Sequence, residues 1–241
     1  SLFSLKNFTN QISLDNFNKI DRIITISEYH KLNYCSWYNK DIKEKIKVIY
    51  NSVDTTYFNI IKEKSNVLRF IEIATIEERK GQLDLIKAFN KIKSKYRVPM
   101  QLHFVGIGNM LTKCQELVKS LNICDSVFFH GYHKDIRNFF SKSNTIFILP
   151  SYDEGLPISI LEAMSCKTPV ISTKIAGIPE AIIDGLNGFI INPGDIESLS
   201  YKMEEFLKPG LIEKFGIASR ELVKSRFNEK DWIENWKNQI Q

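Results

Sequence analysis

Several features are missing from this sequence, and each absence excludes a class of protein. No stretch reaches the roughly 18 uninterrupted apolar residues of a membrane span, and residues 1–10 lack the apolar run of a secretory signal. Only four cysteines and four histidines occur, and they show neither CxxC pairs nor a metal-like spacing. Internal repeats and low-complexity tracts are absent as well. These absences predict a cytoplasmic globular protein that holds no metal.

The composition is that of an ordinary globular chain. The 241 residues are 43% hydrophobic and 25% charged, enough for one large α/β domain or one domain with attached pieces. The net charge of +5 fits an anionic ligand, an anionic membrane surface, nucleic acid or a plain solvated surface. Because lysines and acids alternate in residues 41–47, we expect no nucleic-acid partner. We expect the cysteines to be small packing residues, and they are Cys35, Cys114, Cys124 and Cys166.

Strand-like and helical patterns alternate along most of the chain. Several strands are continuous apolar runs, as a sheet buried on both faces requires, and the alternation predicts an α/β fold with a doubly wound parallel sheet. The predicted strands are Arg22–Ile26, Lys47–Tyr50, Arg69–Thr75, Gln101–Val105, Ser126–His130, Thr145–Leu149, Pro169–Ser172 and Gly188–Ile191. The predicted helices are Gln82–Lys95, Asn109–Leu121, Lys134–Ser141, Ile158–Cys166, Pro179–Asp184 and Ile196–Leu207.

The two ends of the chain differ from its middle. Residues 1–45 predict one helix, one strand and another helix, too little for a domain, and from Pro209 the pattern is wholly helical. We therefore divide the chain into residues 1–45, 46–208 and 209–241. In the last part Trp232, Ile233, Trp236 and Ile240 share one helical stripe. The stripe is either part of the core or a docking face for a partner domain.

Two loops beyond the strand ends are candidates for ligand binding, because open parallel sheets bind ligands at that edge. The first loop contains Arg79, Lys80 and Gly81, and the second spans residues 150–157. Each leads into a helix, whose free N-terminal amides and about half a positive charge suit a phosphate. The two cations complete a diphosphate clamp, although a solvated loop is the favoured interpretation when they are taken alone.

The second loop has more specific features. Gly155 leaves room for a ligand beside the backbone, and Pro157 fits the first helical position. Glu154 precedes the helix and Glu162 lies within it. A helix rises about 1.5 Å per residue, which separates these carboxylates too far for a retaining glycoside hydrolase, where they lie about 5–5.5 Å apart. Carboxylates on both sides of a phosphate-binding helix start suit a nucleotide sugar, which has hydroxyls on both sides of a diphosphate.

Other positions give weaker signals. Gly106-Ile107-Gly108 looks like a dinucleotide turn, but Leu111 stands in place of the third glycine, and we interpret it as a tight turn. The segment His130-Gly131-Tyr132 ends a strand at the same edge and suits contact with a base, although a structural role is the favoured interpretation for His130 taken alone. Ala176-Gly177 either lines the pocket or forms a plain turn.

These residues resemble the family-four glycosyltransferases, which have the GT-B fold. Residues 154–164 look like the family signature of two glutamates separated by seven residues, and residues 169–173 and 177–180 continue the pattern in register. Residues 48–54 with Phe58 resemble the entry to the second, Rossmann-like domain of these enzymes. The resemblance extends from about residue 20 to the C-terminus.

The resemblance implies a function and a set of site residues. It implies retaining transfer of a hexose from a nucleoside diphosphate sugar, without a metal or other cofactor, to a glycan or lipid-linked acceptor. Glu162 is expected to hold the ribose and Glu154 the hexose, and Lys80 and Glu154 are the expected catalytic residues, with Lys80 stabilising the departing diphosphate. The expected donor-binding residues are Arg79, Gly81, His130, Gly131, Tyr132, Glu154, Gly155, Leu156, Pro157, Ile158 and Glu162.

The sequence also departs from the family pattern. Thr75 stands where many relatives carry a phosphate-binding arginine, and Lys167 replaces a usual glycine. The family's N-terminal acceptor domain has no counterpart in this sequence, and we expect a fragment, a split protein or a degenerate relative. We expect residues 1–45 to be the remnant of that domain, residues 209–241 to pack back on it, and a partner chain or that domain to complete turnover. Contact with the inner face of a membrane fits a lipid-linked acceptor. Two alternatives stay open: a non-catalytic binding or interaction module, and a nucleotide-sugar epimerase.

Overall fold

The computed structural model describes residues 20–37 and 40–240. Within them the strands are β1 (Ile23–Thr25), β2 (Ile46–Val48), β3 (Leu68–Ile73), β4 (Met100–Val105), β5 (Val127–Phe129), β6 (Thr145–Leu149), β7 (Val170–Thr173) and β8 (Gly188–Ile191). The α-helices are α1 (Glu28–Trp37), α2 (Gln82–Lys95), α3 (Leu111–Ser120), α4 (Ile158–Ser165), α5 (Ile178–Ala181), α6 (Ile196–Glu205), α7 (Leu211–Arg226) and α8 (Glu229–Ile240). Short 3-10 helices span Lys40–Lys45, Glu78–Lys80 and Arg137–Phe140.

The central sheet has six parallel strands in the order β5-β4-β3-β6-β7-β8. Chain order reverses between β3 and β6, so the connections after these two strands leave the sheet in opposite directions. Such a switch point opens a crevice at the carboxyl ends of the strands. The predicted doubly wound parallel sheet is confirmed, and its crevice lies between the two loops singled out in the sequence.

Apolar side chains on both faces of the sheet form the core. All five residues of β6 are buried, and on β3 Phe70 packs toward α2 while Ile71 packs toward α4. Burial of each such side chain contributes roughly 1.5–3 kcal/mol. Helix α7 adds Phe215 to one cluster and Val223 to the other. The helical C-terminal part is therefore joined to the core of the sheet.

A second, two-stranded parallel sheet pairs β1 with β2. It is fixed to the main body by Asn51, whose Nδ2 donates to the Leu156 carbonyl at 2.7 Å, and by Glu180, whose carboxylate accepts from the first two amides of α1 at 3.0 Å each. The boundary proposed between residues 45 and 46 thus falls directly before β2, which pairs with β1. The three-part division of the chain stays a prediction. Residues 1–19, half of the predicted N-terminal remnant, lie outside the described residues.

Some local predictions were wrong. Residues 134–141 form only the 3-10 turn Arg137–Phe140, because the Asp135 carboxylate accepts the Arg137 amide at 3.1 Å and competes with helix formation. Helix α4 begins at Ile158, which makes Pro157 the N-cap instead of the first helical residue. Cys124 is exposed and Cys35 only partly buried, whereas the other two cysteines are buried.

The aromatic stripe of α8 is not a core stripe. Trp232 and Ile233 are 37% and 42% exposed, and Trp232 packs edge-to-face on Trp236 with ring centroids 6.0 Å apart. The end of the helix is held instead by Arg22, whose guanidinium donates to the Gln239 carbonyl at 3.0 Å. Whether a partner domain covers the stripe stays a prediction.

Candidate donor-binding site

The two loops at the switch point touch each other through their backbones. Gly81 has a φ of 77°, and a Cβ there would lie 2.4 Å from the Pro150 carbonyl oxygen, so glycine is required on two counts. The Tyr152 amide also donates to the Arg79 carbonyl at 2.7 Å. Gly81 therefore serves loop packing, and the two predicted loops form one continuous wall.

Four charged side chains meet at this wall and neutralise one another. Lys80 Nζ lies 2.5 Å from Glu154 Oε1, and both side chains are about nine-tenths buried, with 11% and 8% of their surfaces exposed. Arg79 pairs with Glu77 at 2.7 Å and donates to the Asp153 carbonyl at 3.0 Å. The two predicted cations therefore do not give the crevice a net positive charge.

Glu154 has one oxygen occupied and one available. Its Oε1 accepts from Lys80 and, at 2.8 Å, from the hydroxyl of Ser151. Its Oε2 has no hydrogen-bond partner among the described residues. Ser151 was not singled out in the sequence, where a lone serine in a loop gives no signal.

The start of α4 presents free backbone amides. The N-cap Pro157 makes no side-chain cap, and of the first helical amides only that of Ile160 bonds within the turn, to the Pro157 carbonyl at 3.2 Å. The amides of Ile158 and Ser159 are left for a ligand or water. Pro157 itself has no N–H, and Leu156 is 2% exposed. Pro157 therefore offers no backbone donor and the Leu156 side chain is closed to a ligand, whereas the side chain of Ile158 is half exposed.

Gly155 lies close to a side chain that follows β1. A Cβ there would lie 2.7 Å from Ile26 Cδ1, the flexible end of that side chain. The Gly155 carbonyl accepts the amide of Gly177 at 3.0 Å. The Ala176-Gly177 turn, with Ala176 at a φ of 42°, thus supports the loop from behind.

Glu162 is the carboxylate with the least support from the protein. Within the described residues its side chain has no hydrogen-bond partner, and burial raises its pKa from 4.5 to about 7. Burial of an ionised carboxylate without a hydrogen-bond donor costs free energy. The site therefore lacks, at this position, a group that donates hydrogen bonds.

Below the first loop lies a buried acid that the sequence analysis missed. Glu72 on β3 is 1% exposed and accepts from Gln82 Nε2 at 2.8 Å, and the same nitrogen donates to the Thr75 carbonyl at 3.0 Å. Its second oxygen has no partner, and burial raises the pKa of Glu72 well above its usual value. A glutamate within an otherwise apolar strand was the available signal. Thr75 itself donates to Glu77 Oε1 at 2.5 Å.

The segment after β5 lies at the same edge. Gly131 has a φ of 72° and its carbonyl accepts the amide of Gly106 at 2.8 Å. A Cβ at Gly106 would lie 1.9 Å from the Ala74 carbonyl oxygen, which supports its interpretation as a tight packing turn. Tyr132 is 72% exposed and His130 is exposed as well. The side chains of both residues are accessible to a ligand.

Lys167, which departs from the family pattern, occupies a conformation suited to glycine. Its φ is 52°, a value that residues with a Cβ seldom adopt. Its carbonyl oxygen would lie 2.4 Å from a Cβ at Gly216 of α7. The turn after α4 is thus strained at Lys167 and held in place by the close approach of α7.

The described residues contain no group of three or more His, Cys, Asp and Glu side chains placed to hold a metal ion. In the same part of the chain, no helix has the length and apolar character needed to cross a membrane.

Comparison with known proteins identifies the family. The sequence model of the family described as "Glycosyl transferases group 1" matches residues 53–222, well over half of the chain. The chain belongs to the group 1 glycosyltransferases. The family match confirms the resemblance stated from the signature residues.

Relatives of this glycosyltransferase chain include an uncharacterized glycosyltransferase of Methanocaldococcus jannaschii, 30% identical over 92% of this chain and 54% of the relative. The N-acetyl-alpha-D-glucosaminyl L-malate synthase of Bacillus anthracis is 30% identical over 82% of this chain and 53% of its own length. Among solved structures, S. aureus TarM in complex with Fondaparinux, alpha-GlcNAc-glycerol and UDP superposes with a TM-score of 0.82 at 24% identity, over 92% of this chain and 44% of TarM. The GT-B fold relationship is confirmed, and the chain spans about half the length of the curated relatives it matches.

Proposed function

We propose that this chain binds a nucleoside diphosphate sugar at the switch-point crevice and supplies the donor half of a retaining hexosyl transfer. The observation that carries the proposal is the unpartnered Glu162 carboxyl beside a helix start with free amides. A ribose provides two hydroxyl donors and a diphosphate provides acceptors for the amides. A nucleotide sugar therefore supplies what both groups lack.

The two glutamates divide the ligand between them. Glu162 accepts from the ribose hydroxyls. Glu154 accepts from a hexose hydroxyl through Oε2, while Lys80 and Ser151 hold its Oε1 and fix the orientation of the carboxylate. Since Lys80 donates one of its three N–H groups to Glu154, two remain for the diphosphate.

Charge develops on the diphosphate as the bond to the sugar breaks. The remaining Lys80 donors and Arg79 lie in the first loop of the crevice, and the amides of Ile158 and Ser159 lie at the start of α4, directly after the second loop. Preorganised donors of this kind stabilise a leaving group without rearrangement. Retention of the anomeric configuration follows the family resemblance.

The acceptor would be a glycan or a lipid-linked sugar, bound with the help of a further domain or partner chain. TarM was crystallised with UDP and a glycerol-linked sugar, which supports a donor and acceptor of these classes for the present chain. A cytoplasmic location, peripheral to the inner membrane face where the acceptor is lipid-linked, remains a prediction, as does the absence of a cofactor.

Calorimetric titration with UDP, GDP, ADP and their common sugar conjugates tests the proposal. We expect saturable binding of one nucleotide, weakened by about 1–3 kcal/mol in Glu162→Ala because a hydrogen bond to a charged group is lost. Glu197→Ala, on the exposed surface of α6, is the matched control. Normal nucleotide binding by Glu162→Ala would refute the assignment of the ribose site.

A non-catalytic nucleotide-sugar-binding module is the second candidate. It is favoured by Thr75, which replaces the usual arginine and bonds to Glu77. Donor binding without transfer, even when the acceptor domain is supplied, would support the module. Interconversion of two nucleotide sugars would instead identify an epimerase.

A further inference from the structure

A chain of three nitrogen-bearing side chains crosses one face of the sheet from β3 to the end of β5. Arg69 Nε donates to His103 Nε2 at 3.2 Å, and His103 Nδ1 lies 2.9 Å from His130 Nε2. The His103 ring is 95% buried and stacks on Phe128, with ring centroids 5.1 Å apart. Phe139 packs edge-on against His130 at 5.0 Å.

This series of hydrogen bonds determines which nitrogen of the His103 and His130 rings carries the proton. A guanidinium is always a donor, so His103 Nε2 must accept and the His103 proton must sit on Nδ1. Gln101 Oε1 lies 3.2 Å from the same Nε2. Because the oxygen and nitrogen of a side-chain amide exchange places when the group turns by 180°, Gln101 can present its NH₂ group to Nε2, as the donor from Arg69 requires. His103 therefore donates to His130 Nε2, which leaves the His130 proton on Nδ1.

The same contacts keep His130 neutral. A second proton on His130 would have to sit on Nε2, facing the Nδ1–H of His103. The charged groups around the ring act in the same direction: Arg69 on β3, His103 on β4 and His133 after β5 are all basic, and Phe139 is uncharged. Burial, His133 and Arg69 lower the pKa of His130. Burial, with Arg69 and His130, lowers the pKa of His103 to about 3.

His130 thus presents a fixed, uncharged N–H donor at the ligand edge. His130 is exposed and directly precedes Gly131 in the segment expected to contact the base. Within the described residues, the Nδ1 atom of His130 has no hydrogen-bond partner. An N–H group that is fixed as a donor can bond to a carbonyl oxygen of the base but not to an amino group, which is itself a donor. A site that offers only a donor therefore binds a base with an amino group at that position less tightly.

We propose that His130, held in one tautomer by His103 and Arg69, selects a nucleobase with a carbonyl at pyrimidine C4 or purine C6, as in uracil or guanine, over one with an amino group at that position, as in cytosine or adenine. This inference rests on the proposed donor site. His103 and Arg69 act as positioning residues, because they reach the base only through His130.

The tautomer is measured first, on the ligand-free protein, by long-range nitrogen–proton NMR of the histidine rings. We expect His130 to carry its proton on Nδ1 and not on Nε2. In His103→Phe, which keeps a ring against Phe128, the Nε2 atom of His130 loses its donor, and the His130 proton should distribute over both ring nitrogens. A proton on Nε2 of wild-type His130, or the same Nδ1 tautomer in wild type and in His103→Phe, would overturn the proposal.

Base selection is then measured by calorimetry with UDP and CDP, which share the ribose and the diphosphate. We expect UDP to bind about tenfold more tightly, a factor near the upper end of what one neutral hydrogen bond contributes, and His103→Phe to narrow the ratio of the two dissociation constants. Glu197→Ala, on the exposed surface of α6, should leave the ratio unchanged. Equal binding of UDP and CDP, or an unchanged ratio in His103→Phe, would refute base selection by His130. If the site binds purines, the ratio of GDP to ADP affinity tests base selection in the same way. No binding of UDP, CDP, GDP or ADP would refute the donor site itself.

Discussion

Glu162 should couple donor binding to proton release. Burial raises its pKa to about 7, so about half of the free protein carries a proton there at pH 7. Ribose hydroxyls donate to the ionised carboxylate, which makes that form the better binder. Donor affinity should therefore rise with pH through 7 and level off above 8.

The size of the effect follows from the pKa. If only the ionised form binds the ribose fully, the dissociation constant scales with the reciprocal of the ionised fraction, which changes about tenfold between pH 6 and pH 8. The same raised pKa lowers folding stability. An unfolded chain ionises this carboxyl above about 4.5 and the folded chain only above about 7, which costs at most about 3 kcal/mol at pH 7 and nothing at pH 4.

Glu162→Gln separates these effects. The ligand should be a nucleotide sugar, because neither of its phosphates ionises between pH 6 and pH 8. Calorimetry in two buffers of different ionisation enthalpy should show release of about half a proton at pH 7 for wild type and none for Glu162→Gln. The variant should also be the more stable protein at pH 7 and equal to wild type at pH 4. A flat affinity profile in wild type, or the same slope in both proteins, would refute the reasoning.

Three further predictions follow from the site. Glu154→Ala should weaken binding of the nucleotide sugar more than binding of the free nucleotide in paired titrations. Equal losses of affinity would refute the assignment of Glu154 to the hexose. Lys80→Ala should weaken diphosphates more than monophosphates and also lower the unfolding midpoint, since it leaves Glu154 as an unpaired buried charge; an unchanged midpoint would contradict the ion pair. Glu72→Gln should stabilise the protein in denaturant titrations above about pH 5, because the folded-state pKa is raised, and a stabilisation that persists at pH 3 would point to another cause.

The sequence predicted the elements whose signals are local. Strands β6 and β8 and helix α2 have the predicted bounds, because each is an apolar or amphipathic run with clear ends. The meeting of the two loops at one edge of the sheet was also predictable, since parallel strands bring their carboxyl ends to one edge whatever the details of packing.

Pairings between distant residues were not predictable in this way. Lys80 and Glu154 are 74 positions apart, and each was assigned to the ligand because nothing in the sequence indicates that they meet. His103 gave no signal because its importance depends on register, which places it opposite Phe128. Residues 134–141 had a helical pattern, but the side chain of Asp135 decided the outcome locally.

The contact between Gly81 and Pro150 has a consequence for the cost of binding. Together with the bonds from Tyr152 to Arg79 and from Gly177 to Gly155, it joins both loops and the turn behind them by main-chain atoms alone. A ligand then meets walls already in place and orders few residues on arrival, so little of its interaction energy is lost as conformational entropy. Substitutions that disrupt the main-chain contacts of these glycines should lower the affinity for the ligand without removing any group that touches it.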